Sequence, residues 1–469
     1  MKLWIELFRC VRQLRGACAR RTTFCWLVLV LAAMAVRPDL LGVTSFVRAS
    51  FLEPDCYPLL LNFFHSRALI VPLLTEAWVT LVLRLFTPVT EEGFIVFAAD
   101  GLKVPKEGKK MPAVKNLHQE SEDNAKPLYI MGHSFQAVSL LVNSPLGQVF
   151  AVPLICRICE GLIWNRSPKP KSLLDKMADL FLEVVRSTKK RALLVADAYY
   201  ASCKIINPLL DEGHHLVTRV RKTSVAYRPP PSCPNRKRGR PKMYGEKVHL
   251  RDLFKAAGAF TEAPSPVYGE EKVVVQYRAV DLLWRPVGRL VRFVLVKHPT
   301  RGNLILLSTS LDLQPLAILR IYGLRFKIEV SFKQALHTIG AYSYHFWMMS
   351  MKPISRGSGN QHLENKSEEY RQAVDRKMGA YHRHVQLGCI VQGLLQHLAV
   401  NFPDTVWTQF GSWLRTMKTN LAPSEMVVAQ ALKLAFPEFL LDIGQEPELK
   451  KFILDRANRD RIPGYGTAA

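Results

Sequence analysis

The pattern of apolar and polar positions divides the chain into stretches of different texture. Through residue 88, apolar residues recur at helical spacing with little alternation, as in "YPLLLNFFHSRALIVPLLTEAWVTLVLRLF". This predicts a helical N-terminal domain, residues 1–88, with DNA binding as its candidate role. From residue 89 the texture changes. "GFIVFAAD", "PLYIMGHSFQAVSLLVN" and "QVFAVPLICRI" are short β-rich runs separated by polar or turn segments, so three successive strands are expected. "SLLDKMADLFLEVVRSTKK" returns to helical spacing behind a cap candidate, Ser172, and "RALLVADAYYA" is a buried strand ending in an acid. The predicted order over residues 89–220 is β-β-β-α-β.

The regular texture then breaks at "YRPPPSCPNRKRGRPKMYGEK", a proline run followed by a basic cluster, which reads as an exposed loop. "KVVVQYRAVDLLW", "RLVRFVLVKHP" and "NLILLSTSL" predict a β-rich insertion over residues 221–302, leading into a polar-faced helix within 303–352. "YSYHFWMMSM" reads as helix and "ISRGSGNQHLENKSEEY" as a mobile linker. The remainder of 353–469 reads as helices ending in a disordered tail. The fold class expected is α/β, with helical segments before and after a sheet-containing core.

Composition narrows the partners. The 469 residues are 48% hydrophobic, enough for sizeable cores, and 64 Lys and Arg against 39 Asp and Glu give a net charge of +25. Such an imbalance calls for a polyanion, and nucleic acid leads. An anionic membrane is the rival, because "FCWLVLVLAAMAV" at residues 24–36 carries no charge and follows Arg20 and Arg21. Thirteen residues fall short of the ~20 that span a bilayer; the run fits a signal-peptide core, and a buried helix fits it better. The nine cysteines show neither a disulfide framework nor a zinc pattern. Cys156 and Cys159 lie in apolar "VPLICRICEGLIW" and are expected in a core, in a reducing compartment.

The candidate chemistry rests on three acids. Asp100 follows "FIVFAA" and Asp197 follows "LLVA", so each is expected at the C-terminal end of an apolar strand, where a sheet presents its site. The alternative for each is a turn or helix-cap aspartate. The third acid, Glu329, sits in "RIYGLRFKIEVSFKQAL", where Tyr322, Arg325, Glu329 and Lys333 fall within about 80° of one helix face. That face is either solvated, with spaced ion pairs, or built for chemistry. Three converging carboxylates would repel unless divalent cations sat among them, and Mg²⁺ or Mn²⁺ prefers such hard oxygens.

"AADGLKVPKEGKKMPAVKNLHQES", "YIMGHSFQAVSLL", "LVADAYYAS" and "IYGLRFKIEVSFKQAL…YHFWMMSM" together resemble the DDE transposases of bacterial insertion sequences, in the group marked by a Tyr-Arg-Glu signature. The resemblance covers roughly residues 90–350. It implies an RNase H-like catalytic core holding Asp100, Asp197 and Glu329 as catalytic and metal-binding acids, interrupted by the β-rich insertion. The activity implied is cleavage and joining of DNA strands by two-metal phosphoryl transfer, with Mg²⁺ or Mn²⁺ as cofactor. Its partners would be double-stranded DNA and a second copy of the chain in a homo-oligomer on DNA, without a membrane, in the cytoplasm at the nucleoid. Tyr322 and Arg325 fit the signature and would contact the phosphate backbone. The position where the family carries a lysine holds Leu336, and Lys333 is the nearest base on that face. An ion pair orienting Glu329 is an equal reading of Arg325. "NRKRGRPK" resembles an AT-hook, with Arg238 and Arg240 as the minor-groove contacts and a solvated charge run as the alternative. His118 and His133 are expected to be structural, and Trp284 a core residue rather than a base-stacking one. The alternative function is a catalytically silent, domesticated DNA-binding descendant.

Overall fold

The structure, a computed structural model, describes residues 1–119, 127–165, 168–231, 242–441 and 446–465. The fold is mixed α/β. Helices α1 (Lys2–Arg12), α2 (Arg21–Val36) and α3 (Val71–Leu85) lead, with short helices between α2 and α3. Strands β1 (Phe94–Pro105), β2 (Tyr129–Asn143) and β3 (Val149–Ile158) follow. Then come α4 (Leu173–Thr188), β4 (Ala192–Val195) and β5 (His215–Arg219), followed by the long antiparallel strands β6 (Val274–Trp284), β7 (Arg289–His298) and β8 (Gly302–Ser308). Helices α5 (Pro315–Leu324), α6 (Phe326–Gln334) and α7 (Glu368–Asn401) complete the framework. Ser172 caps α4 through a reciprocal box with Asp175, as its sequence predicts.

The described residues form two compact units. One comprises Met1–Thr87, Gly101–Pro170 and Val330–Ala469, and the other Pro88–Asp100 and Lys171–Glu329. In the first unit α2 is apolar on every side and buried almost throughout from Cys25 to Val36, the environment such a helix requires. Among the described residues no helix is long and apolar enough to cross a membrane. Helix α7 is buried from Ala380 to Val400, His382 apart, although it carries Arg383, His384, Gln386, Gln392, Gln396 and His397. Backbone carbonyls accept from several of these: Leu154 O from Gln386, Ser331 O from Gln392, and Phe64 O and Leu69 O from Arg383. Buried polar groups persist where such partners exist. Cys156 and Cys159 are buried here too.

In the second unit β1, β4 and β5 are parallel, and β5, β8, β7 and β6 continue as antiparallel neighbours. The predicted insertion is β-rich, and Trp284 is buried at the end of β6. Residues 342–351, expected to be helical, are extended and turned instead. Tyr342, Tyr344, Phe346 and Met348 point inward while His345, Trp347 and Met349 are exposed, a period of two that a helix cannot produce. The following stretch, expected as a mobile linker, is held by backbone bonds. Gln361–His362 pairs with Leu162–Ile163, and Asn116 N donates to Ser358 O.

Candidate active site

The second unit contains all three acids. Strand β1 pairs with β4 from Ile95 opposite Ala192 to Ala98 opposite Val195. The register offset of 97 residues is also the separation of Asp100 from Asp197, so each acid lies two residues beyond the last pair, at the same level of neighbouring parallel strands. Adjacent strands are ~4.8 Å apart, so this register brings the two backbones close where the pairing stops. Asp100 was expected to end its strand, but β1 runs on to Pro105 and only its pairing with β4 ends near the acid. Asp197 also caps a single 3₁₀ turn, its Oδ1 accepting from Tyr199 N at 3.0 Å, while Thr218 Oγ1 donates to its carbonyl at 2.6 Å. The cap alternative is therefore present in the geometry.

Glu329 reaches the same neighbourhood through Arg325. The Arg325 guanidinium donates from Nη1 to Asp100 Oδ2 at 3.0 Å and from Nη2 to Glu329 Oε1 at 2.5 Å. The planar fork of arginine is suited to joining two carboxylates in this way. Arg325 falls between α5 and α6 with helical dihedrals, and single-turn bonds from Arg325 N to Tyr322 O and from Ile328 N to Arg325 O tighten the helix there. The polar face predicted for one continuous helix thus survives the break. The two carboxylates hold the Arg325 guanidinium above its ordinary pKa against the opposing effect of burial. Tyr322 bonds Arg325 and feels the charges of Arg219 and Asp197, while burial, the largest influence, pushes its phenol up. Thr218 and Arg219 had no signal in the sequence beyond lying in a strand next to that of Asp197.

The side chains of Asp100 and Arg325 are each 19% exposed and that of Glu329 is 55% exposed, so the cluster is open on one side. Lys333 is exposed one turn beyond Glu329. Leu336, at the position where a lysine was expected, falls in a π-helical turn, Ala335–Ile339. Widening to the π form shifts the positions after Gln334 around the axis, so ideal helical angles do not carry past that residue. Arg238 and Arg240 lie outside the described residues. Among the described residues, only Glu6, Cys10 and His397 bring three ligating atoms within 4.8 Å of one another. The three acids do not close that tightly, and a guanidinium stands between two of them. Hard carboxylate oxygens that already share one cation nevertheless have the donor chemistry a divalent metal takes.

His133 is structural. It is fully buried, its Nε2 donates to Pro112 O at 2.9 Å and its Nδ1 accepts from Tyr344 Oη at 2.8 Å, and burial lowers its pKa to about 3. His118 lies edge-on to the Tyr129 ring.

A mixed α/β fold with a large mixed sheet, and acids where its parallel pairing ends, is consistent with an RNase H-like nuclease domain of the DDE type. The model of the family described as DDE superfamily endonuclease matches residues 60–262, which supports a DDE transposase-type family for this chain. The match spans Asp100 and Asp197 and stops short of Glu329. No curated protein matches the chain.

Proposed function

We propose that this protein is a DNA transposase that cleaves and joins DNA strands at the ends of an insertion sequence, acting as a homo-oligomer on double-stranded DNA. The observation that carries the reading is the shared register of Asp100 and Asp197 on adjacent strands, with Glu329 tied to Asp100 through Arg325. Asp100, Asp197 and Glu329 would hold Mg²⁺ or Mn²⁺. When bound, such ions activate an attacking water or 3′-hydroxyl and stabilise the leaving oxygen. Arg325 fixes the rotamer of Glu329 and gives both carboxylates one shared hydrogen-bonding partner. Its guanidinium and the Tyr322 hydroxyl are donors that suit phosphate oxygens, so both groups can position the scissile strand. The open side of the cluster, where Glu329 is exposed, is the approach for DNA.

The test is a gel assay of binding and strand cleavage on duplexes carrying the element's own ends, with Mg²⁺, with Mn²⁺ and with chelator. Glu329→Gln keeps the shape and removes the charge, so cleavage should collapse while end binding persists. Cleavage by Glu329→Gln at the wild-type rate would sink the assignment. Binding without cleavage by the wild-type chain in either metal would replace it with the domesticated, silent reading.

A further inference from the structure

The extended segment at residues 342–349 leaves one large aromatic facing outward. Tyr342, Tyr344, Phe346 and Met348 are buried, and the alternation puts Trp347 on the opposite side with 57% of its surface exposed. Indole is usually placed so that its apolar body is covered, so a half-exposed Trp on an ordered segment is an unspent contact surface. The segment is held in place. Met348 N donates to Lys110 O at 2.9 Å, Ile354 N donates to Lys109 O at 2.7 Å, and the buried Lys106 ammonium donates to Tyr342 O and lies 3.8 Å from the centre of the Tyr344 ring. Trp347 rests on the backbone at Gly108, where an added Cβ would come within 3.0 Å of its Nε1.

The surroundings are cationic. Among the described residues, Lys103, Lys109, Lys352 and Arg356 are exposed and Lys110 is half-buried, and Glu107 is an exposed acid beside Lys109. Glu107, Lys109, Asn116, Tyr129 and Arg356 line a groove of about 650 Å³ in the same unit, and Tyr129 is itself 57% exposed. Cations that follow a phosphate backbone, beside aromatic faces open to solvent, form the combination that binds unpaired nucleic acid. A base inside a duplex offers only its edge, whereas an unpaired base offers the face that an indole can stack on. We infer that Trp347 and this groove bind a single-stranded or unpaired stretch of DNA, with Trp347 stacking on a base and Lys109 and Arg356 contacting its phosphates. This rests on the DNA reading above and adds a strand-state preference to it.

The test uses the full chain in chelator, so that no cleavage contributes, and reads fluorescence anisotropy of labelled oligothymidylate and of a duplex of equal length. Trp347→Ala should weaken oligothymidylate binding about tenfold, within the range for one lost base–aromatic stack, and leave duplex binding unchanged. Trp347→Phe should retain most of the affinity. Lys109→Ala with Arg356→Ala should reduce the salt slope by about one to two. A thermal melt checks that each variant folds, which the exposure of these side chains favours. Unchanged oligothymidylate affinity in Trp347→Ala, or no oligothymidylate binding by the wild-type chain, would overturn the inference. So would a Trp347→Ala variant whose only change is in self-association by sedimentation. Oligothymidylate binding that depends on Trp347 in a chain that cleaves nothing would keep the groove and remove the transposase reading.

Discussion

Two ionisable clusters in this protein are built in opposite ways. Around His133, in the first unit, three titratable rings are sealed: His133, His384 and Tyr344 are fully buried, hydrogen-bonded to carbonyls or to each other, and stacked among Phe346 and Tyr381. Burial drives the imidazoles below their ordinary pKa, so they are neutral in neutral solution. Around Arg325, in the second unit, the groups are charged, satisfied by one another, and open on one side. A neutral, closed network specifies packing. A charged, open one can exchange its partners for a metal or a phosphate. The contrast separates structural histidines from candidate catalytic acids more sharply than residue type does.

The largest expected effect that sharpens this comparison is at Arg325. Replacing it with Ala leaves Asp100 and Glu329 facing each other without their shared cation, and a misplacement of about 1 Å at a reacting group can cost ~10²-fold in rate. Cleavage on element ends should fall by at least that much. Arg325→Lys should not restore it, because one ammonium does not reproduce the two-pronged fork. Full rescue by Lys would reduce Arg325 to a generic counter-charge.

At the closed cluster the effect should fall on stability alone. Tyr344→Phe removes the donor to His133 Nδ1 and leaves a buried acceptor unpaired, costing about 1–3 kcal/mol in chemical denaturation, with cleavage per folded molecule unchanged. A cleavage defect at full folding would mean that the histidine cluster takes part in the reaction.

Acid should act on the closed cluster first. Burial lowers the pKa of His133 to about 3, so between about 3 and 6.5 this imidazole binds more protons in the unfolded chain than in the folded one. Stability is therefore complete above about pH 6.5 and declines as pH falls towards 3. Melting temperature measured across this range should drop steadily, and a flat profile down to pH 4 would contradict the sealed, neutral picture.

The smallest effect is expected at Lys333. It is exposed, and Glu329 already has its partner in Arg325, so Lys333→Ala should change stability by less than about 0.5 kcal/mol and leave cleavage intact. A loss of end binding would instead give Lys333 the part of the lysine replaced by Leu336.

Much of this was legible because the signals were local. The β-β-β-α-β order, the Ser172 cap, the all-apolar α2 and the buried Cys156 and Cys159 follow from periodicity and capping chemistry that act within a few residues. The polar face of Tyr322, Arg325 and Glu329 was readable for the same reason. The extended form of residues 342–351 is not legible locally although "YSYHFWMM" alternates, because aromatic and Met side chains suit either state and only the burial partners reveal which are inside. The polar residues of α7 concealed a core helix, since their partners are carbonyls distant in sequence.

By itself the sequence determined which acids stand after apolar strands, which face of the Glu329 helix is polar, and that the chain as a whole is strongly cationic. Tertiary structure decided that Asp100 and Asp197 share one level of a parallel pair, and that Arg325, 225 positions after Asp100, bridges it to Glu329. It also decided that His133 is sealed and Trp347 left open. Strand register and burial depend on which distant segments pack together, and that is set by the summed burial of many residues rather than by any local stretch.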